Sequence, residues 1–379
     1  MFDEQNGAPL GWKLLPKTGS SKLHTICGYM AMFPPSIPLY FIKKYTSERD
    51  IVLDPFSGRG TTALEACMNN RDGIGNDRSP LAYVLTSAKV KTPGLRKLYK
   101  RINSLKAEFQ KNKDNIDISS EKWEIKMLYS DYTLKQLLFL KKKLRWKANN
   151  TDGFITALVL GIMHGSSEGY LSISMPNTFS MAPNYIKKYV EKHRLEKPTR
   201  DVFELLKKKI DNCYDQTPCA GKAYMGDARR IRRVKTGSVK LVVTSPPYTR
   251  VIRYGAFNWI RLWFLNKQAE EVDAKLHCSQ SLPKYKKFMT EILTETKRHL
   301  SDDGTAVFVI GDVKDKTSAE VLKLAEYVWE NCAKPLGFRL KEPIHADIIR
   351  DNTKVSKIWG KTRGQATKID RVLVLEKTN

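Results

Sequence analysis

One stretch limits the fold more than any other: IVLDPFSGRGTTALEACMNN, beginning at Ile51. A short apolar run ends on Asp54, a turn punctuated by Gly58 and Gly60 follows, and an apolar-periodic helix comes next. The segment after it, GIGNDRSPLAYVL from Gly73, reads as a second short strand ending at Asp77. Pro80 then sits in the first turn of another helix, where a missing N–H is tolerated. Strand, helix, strand over about residues 50 to 77 is a βαβ unit. It commits the chain to an α/β fold, a Rossmann-like sheet with helices on both faces.

The same rhythm returns late in the chain. KAYMGDARR surrounds Asp227, the apolar strand VKLVVTSPPY reaches Ser245, a long helix passes through Lys286 to Leu300, and GTAVFVIGDV supplies another strand. The last, DRVLVLE from Asp370, alternates little, which predicts a strand buried on both faces. Between these halves the composition changes. Lys-rich helical stretches such as LKQLLFLKKKLRW flank an apolar helix near Phe154 to Met163 and the loop HGSSEGYLSISMPNTFSMAPNY. The expected organisation is therefore one domain in two halves, residues 1–95 and 221–379, interrupted by a mainly helical insertion at 96–220.

Charge narrows the partners. The 66 Lys and Arg outnumber the 40 Asp and Glu, for a formal net charge of +26, which attracts a polyanion from a distance. The insertion holds 24 Lys and Arg against 14 Asp and Glu, so much of the excess lies there. The six cysteines (Cys27, Cys67, Cys213, Cys219, Cys278 and Cys332) show neither metal-ligand spacing nor a disulfide framework, and the histidines form no ligand pattern. No metal is expected. With no long apolar run and no signal peptide, the expectation is a cytoplasmic chain in a reducing compartment, away from membranes.

Two motifs carry chemistry. In DPFSGRGTT, Asp54, Pro55, Phe56, Gly58, Gly60, Thr61 and Thr62 sit where a strand hands over to a helix, and glycines there let backbone approach a nucleotide-like ligand. The spacing is not GxGxxG, but Asp77 at the end of the next strand is placed to accept ribose hydroxyls. The second motif is TSPPY, Thr244 to Tyr248, at the carboxyl end of a strongly apolar strand, where open α/β sheets bind ligands. Two prolines in succession make a rigid turn that lacks backbone donors and presents carbonyl acceptors. Such acceptors suit an amino group whose lone pair is delocalised: aimed at its two hydrogens, they favour a pyramidal nitrogen able to attack a sulfonium methyl. The acceptor roles fall to the Ser245 hydroxyl and the Pro246 carbonyl, with Pro247 completing the turn. Tyr248 would stack on a base taken out of the helix.

DPFSGRGTT and TSPPY resemble the cofactor and catalytic motifs of the DNA amino-methyltransferases, the first matching a DPFxGxGTT pattern and the second the serine form of S/D-P-P-Y. The resemblance covers about residues 20 to 90 and 220 to 379. It implies a class I methyltransferase sheet, S-adenosyl-L-methionine as cofactor and double-stranded DNA as substrate. It also implies a cognate restriction endonuclease as partner in a prokaryotic cell. The serine form, commoner in cytosine-N4 enzymes, favours N4 of cytosine over N6 of adenine. An RNA amino-methyltransferase and a non-catalytic DNA-binding module are the other readings. YMAMFPPSIPLYFI, from Tyr29, resembles the segment beside the cofactor's methionine moiety, with Phe33 and Pro34 as contacts, and Asp227 falls where the family contacts adenine. The cofactor loop precedes the catalytic motif, as in the family's alpha and gamma groups, although the insertion falls before the adenine-contact segment.

DNA contacts are expected from RRIRRVK, whose Arg229, Arg230, Arg232 and Arg233 would lie near the active face and clamp phosphate, and from Arg253. Arg261 is a further candidate to reach the backbone; Tyr254, Trp259 and Trp263 read as core. Recognition of sequence is expected from the insertion, above all MPNTFSMAPNY, with the basic KIWGKTRGQAT from Lys357 as rival. His164 reads as a helix cap with an outside chance of touching DNA. Pro218 and Cys219 look like the nucleophile pair of cytosine-C5 enzymes, but amino methylation needs no covalent adduct, so Cys219 reads as a packed or surface thiol.

Overall fold

The computed structural model describes residues 10–30, 32–175, 180–247, 253–276, 281–314, 321–348, 357–359, 362–363 and 366–378. Five strands run parallel: β1 (Ile51–Asp54), β2 (Asp72–Asp77), β3 (Lys222–Met225), β4 (Val239–Thr244) and β5 (Leu300–Lys314). Short strands β6 (Val321–Leu322), β7 (Phe338–Leu340) and β8 (His345–Ile348) follow, then a ribbon of β9 (Lys357–Trp359) and β10 (Thr362–Arg363), and finally β11 (Ala366–Lys377). The order across the sheet is β3-β2-β1-β4-β5-β11-β7, with β11 antiparallel to both neighbours. That is a Rossmann-like α/β sheet, the fold class expected from the sequence. The order reverses between β1 and β4, so the ligand crevice opens where those two strands end.

Alternation along the inner strands explains the layers. Leu241, Val243, Val307, Val309, Val372 and Val374 face α1 (Ser36–Tyr45) and the buried Trp12. Val242, Phe308, Ile310, Leu373 and Leu375 face the other way. Both sets are buried, so β11 is covered on both faces, as its sequence predicted. Trp12 also donates its Nε1–H to Asp347 at 2.9 Å, joining the first described turn to β8.

α2 (Thr61–Met68) and α3 (Pro80–Val90) complete the βαβ region, with Pro80 in the first turn after the Ser79 cap. The insertion supplies α4 (Leu95–Asn112), α5 (Trp123–Lys126), α6 (Asp131–Lys143), α7 (Asn150–Ile162), α8 (Pro183–His193) and α9 (Val202–Cys213). On α4 the buried positions Leu98, Ile102, Leu105 and Phe109 form one stripe at helical spacing, leaving the lysines outside. α7 is buried along nearly its whole length, and its one buried carboxylate, Asp152, is held by Arg101 at 2.8 and 3.2 Å. These helices share a single apolar cluster with α3 and with Leu23, Ile26 and Tyr29, so the insertion is a layer on the sheet rather than an appendage. Four helices lie between or after the later strands: α10 (Trp259–Phe264), α11 (Ala269–Lys275), α12 (Leu282–His299) and α13 (Leu324–Val328). No helix among the described residues is long and apolar enough to cross a membrane.

Candidate active site

Three neighbouring strands end on polar residues at the crevice: β2 on Asp77, β1 on Asp54 and β4 on Thr244. The loop after β1 folds over them. Gly58 and Gly60 have φ of 49° and 80°, the left-handed region that glycine enters without strain, and the Gly60 N–H closes a turn on the Ser57 carbonyl at 2.6 Å. Asp77 fixes the loop by accepting the Gly58 N–H at 2.9 Å, and accepts the Ser79 N–H at 2.9 Å on its other oxygen.

Among the described residues no cation pairs with either carboxylate. Burial pushes Asp77 up to about 6 against hydrogen bonds that favour its charge. Burial likewise pushes Asp54 up to about 7, despite hydrogen bonds from Thr244, Phe56 and Thr62, with Asp77 adding repulsion. A cationic ligand carrying a diol relieves both penalties. The buried acceptors therefore fit S-adenosylmethionine.

The segment before α1 also brings Tyr29 to the loop. Tyr29, not Phe33 or Pro34, meets the loop: a Cβ on Gly58 would lie 3.3 Å from its ring. Burial, then the nearby Asp77 charge, hold the Tyr29 hydroxyl well above its usual pKa. Tyr29 stacks on Tyr254 at 6.3 Å. Phe33 packs on the α1 side of the sheet, and the Pro34 carbonyl accepts the Ile37 N–H at the start of α1. Of the remaining loop residues, Phe56 turns toward Phe288 of α12, and Pro55 lends its carbonyl to Asn76 at 3.4 Å. Thr61 accepts from Arg59, while the fully buried Thr62 donates to the Val243 carbonyl at 3.1 Å. Its hydroxyl braces β4 and also faces Asp54 in the crevice.

The Ser245-Pro246-Pro247 turn leaves β4 directly beside this crevice, with Ser245 and Pro247 half-buried and Pro246 buried. Tyr248 lies outside the described residues, as do residues 176–179 of MPNTFS and residues 360–361 and 364–365 of KIWGKTRGQAT. The chain leaving the turn is tied to the inserted loop: Ser180 N–H donates to Phe257 O at 2.9 Å, and Trp259 Nε1–H to Met181 O at 2.8 Å. Tyr254, Trp259 and Trp263 are half-buried and pack against the core, as their sequence context predicted. Arg261 is buried as well, donating to Leu160 O at 3.1 Å and Asn258 at 2.7 Å, so it does not reach a DNA backbone. His164 is buried against Ser172 at 3.1 Å and is no surface contact either. Arg253 is exposed, 3.7 Å from Asp273.

The basic run does not lie on the active face as a block. Asp227, at the carboxyl end of β3, is flanked by Arg78 at 3.4 Å and Arg229 at 2.7 Å. Burial would raise its pKa, but the Arg229 contacts hold it below the usual carboxylate value. From there the chain descends alongside α12. Arg229 pairs with Glu291, Ile231 N–H with Glu295, the Lys235 carbonyl with His299, and Gly237 N–H with Arg298 O. Ile231 and Val234 are buried, leaving Arg230, Arg232 and Arg233 exposed along a stripe toward the amino-terminal end of β4. Arg229, Arg230, Arg232, Lys235 and Arg298 line an open cavity of about 690 Å³ there. The expectation that the whole run clamps phosphate at the active face is corrected to a stripe that starts there and leads away.

Cys219 is half-buried beside Cys67, its thiol donating to Arg71 O at 3.1 Å, where α2 ends and β2 begins. That is the end of the sheet away from Ser245, which removes it as a nucleophile. No group of three His, Cys, Asp or Glu among the described residues could hold a metal.

Residues 4–87, which hold the loop and both crevice carboxylates, match the model of the DNA methylase family of N6 and N4 enzymes. Type II methyltransferase M.MjaII of Methanocaldococcus jannaschii is 29% identical over 163 residues, 40% of this chain and 30% of that protein. Type II methyltransferase M.Cfr9I of Citrobacter freundii is 33% identical over 90 residues, 24% of this chain and 25% of that one. The orphan methyltransferase M.BamHII of Bacillus amyloliquefaciens is 47% identical over 49 residues, 13% of this chain and 18% of that one. The chain thus spans less than a third of the length of the relatives it matches. Among solved structures, TrmN of Thermus thermophilus overlaps with a TM-score of 0.35 at 11% identity, over 94% of this chain and 52% of that one.

Proposed function

We propose, for a chain that belongs to the DNA amino-methyltransferases of the restriction-modification type, that it transfers the methyl group of S-adenosylmethionine to the exocyclic N4 of cytosine in duplex DNA. The observation that carries the reading is the adjacency of the Ser245-Pro246-Pro247 turn to the crevice made by Asp54, Asp77 and the Gly58 loop. The cofactor supplies a sulfonium methyl. Asp77, Asp54 and the Gly58–Gly60 backbone bind and orient it, with Tyr29 closing one side and Asp227 placed at the far end for its adenine.

The protein then has to make a poor nucleophile competent. Ser245 Oγ and the Pro246 carbonyl accept the two amino hydrogens, which localises the nitrogen lone pair. Tyr248 stacks on the extruded base. Bound S-adenosylmethionine would supply its sulfonium methyl to the amino nitrogen so held, with the thioether as leaving group, and the amino proton released would pass to solvent.

The serine at position 245 supports cytosine; the family description covers adenine N6 enzymes on the same scaffold. Nucleoside mass spectrometry of DNA methylated in vitro decides between them: N4-methylcytosine is expected, and N6-methyladenine would replace the base while keeping the chemistry. Residues 96–220 are proposed to read the target sequence, because their loop at Ser180 and Met181 is fastened to the segment leaving the catalytic turn. A cognate endonuclease is proposed as the genetic partner.

The arginine stripe is proposed to hold DNA backbone beyond the target base, with Arg253 nearer to it. Replacing Arg230, Arg232 and Arg233 together by Gln is expected to flatten the dependence of log affinity on log salt by up to about 3, roughly 0.9 per phosphate contact. Affinity for the cofactor should stay unchanged. Fluorescence anisotropy with a random-sequence duplex at several salt concentrations measures this, and an unaltered slope would remove the stripe from the interface.

A further inference from the structure

Thr244 opens the TSPPY motif with no role of its own in the sequence, yet its side chain joins β4 to β1 inside the crevice. It is fully buried, and its hydroxyl donates to Asp54 Oδ1 at 2.6 Å. The parallel ladder between β1 and β4 has its last backbone pair at Leu53 and Val242. Past that point, side chains join the two strands. Thr244 holds Asp54 from the β4 side, and Thr62, from the first turn of α2, holds the Val243 carbonyl at 3.1 Å. The cofactor loop lies between these two bonds, and Ser245 is the next residue along the chain.

We propose that Thr244 is a positioning residue for methyl transfer, its hydroxyl fixing the cofactor loop against the catalytic turn and keeping Asp54 an acceptor toward the cofactor's positive charge. The inference rests on the functional reading above. Two consequences follow from the same bond. Losing it lets the distance between the loop and Ser245 vary, and an in-line transfer is sensitive to misplacement of about 1 Å. It also removes a donor that favours the charged form of a buried carboxylate. Asp54 already titrates near 7, chiefly through burial. The other groups facing it are the Phe56 N–H, Thr62 and, across β2, the carboxylate of Asp77.

The sign is fixed by the cation. A positively charged ligand binds the ionised form of Asp54, so affinity is present above its pKa and falls as pH drops through it. Calorimetric titration of S-adenosylmethionine into the full chain between pH 5.5 and 9 reads this without any turnover. Thr244→Val should shift the acidic limb upward by about one unit, which weakens binding about fivefold at pH 7 and approaches tenfold only well below both pKa values. At pH 9, kcat should fall about 10- to 100-fold while KM for the cofactor changes little. Thr244→Ser, which retains the hydroxyl, should restore both the limb and kcat, and Asp54→Asn should abolish the limb.

A Thr244→Val protein with parental melting behaviour, an unmoved limb and parental kcat would overturn the proposal. So would a serine variant as impaired as valine, or a limb that persists in Asp54→Asn and therefore belongs to Asp77. Absence of cofactor binding at every pH would instead overturn the functional reading on which the proposal stands.

Discussion

Ser245→Ala will lower kcat about 10²- to 10³-fold, the cost typical of losing one preorganised group that stabilises a developing transition state, while leaving affinity for S-adenosylmethionine within about twofold. The separation follows from the architecture. Cofactor binding is assigned to side chains at the ends of β1 and β2 and to the loop over them, whereas Ser245 begins the turn at the end of β4. Its half-buried hydroxyl is needed only once an amino group arrives. The Pro246 carbonyl persists in the variant, so residual transfer above background is expected. Measuring kcat under saturating DNA, with cofactor affinity from calorimetry on the same preparation, checks both halves of the statement. Matching losses in the two quantities would make Ser245 part of the cofactor floor instead.

The second large effect is on the fold. Gly60→Val should destabilise the protein by about 3 kcal/mol, combining about 1–2 kcal/mol for an L-residue in the left-handed region with overpacking. Gly60 has φ of 80°, and an added Cβ would lie 2.9 Å from both Cα and Oγ1 of Thr86. That neighbour cannot give way: Thr86 is fully buried in α3 and its hydroxyl is 3.0 Å from Ser57 of the same loop. Gly58→Val is the contrast. Its φ of 49° is also left-handed, but the added carbon meets the ring of Tyr29 at 3.3 Å, on the side where the cofactor must approach. Urea unfolding should show the large loss in Gly60→Val and a smaller one in Gly58→Val, and calorimetry the larger loss of cofactor affinity in Gly58→Val. Equal midpoints for the two would contradict the distinction between a structural and a ligand-facing glycine.

The sheet was legible because local signals agreed with one another. The βαβ unit, the position of Pro80, the apolar β4 and the doubly buried β11 each follow from a short-range pattern of a few residues, and the carboxylates Asp54 and Asp77 fall at strand ends that the pattern locates. What escaped the sequence depends on contacts between distant segments. Nothing in YMAMFPP says that Tyr29 rather than Phe33 reaches the loop, since that is decided by how the segment crosses α3 and meets Tyr254. The direction of RRIRRVK was equally hidden. Its alternation of arginines with Ile231 and Val234 signals a half-buried extended stretch, yet only its ladder of contacts with α12 shows that it runs away from the crevice. Arg261 looked like a surface cation because charge predicts exposure; the carbonyl of Leu160 and the Asn258 amide oxygen satisfy it inside instead. Thr244 carried no signal beyond its place before Ser245.

The central claim is transfer of a methyl group from S-adenosylmethionine to an exocyclic amine of a DNA base. The direct measurement incubates the purified chain with methyl-labelled cofactor and a mixture of unmodified genomic DNA and total RNA, then identifies the labelled nucleosides by mass spectrometry. The account predicts label in DNA alone, on an amino nitrogen, N4 of cytosine. Label confined to RNA, label on cytosine C5, or no transfer by a protein that binds the cofactor would contradict it.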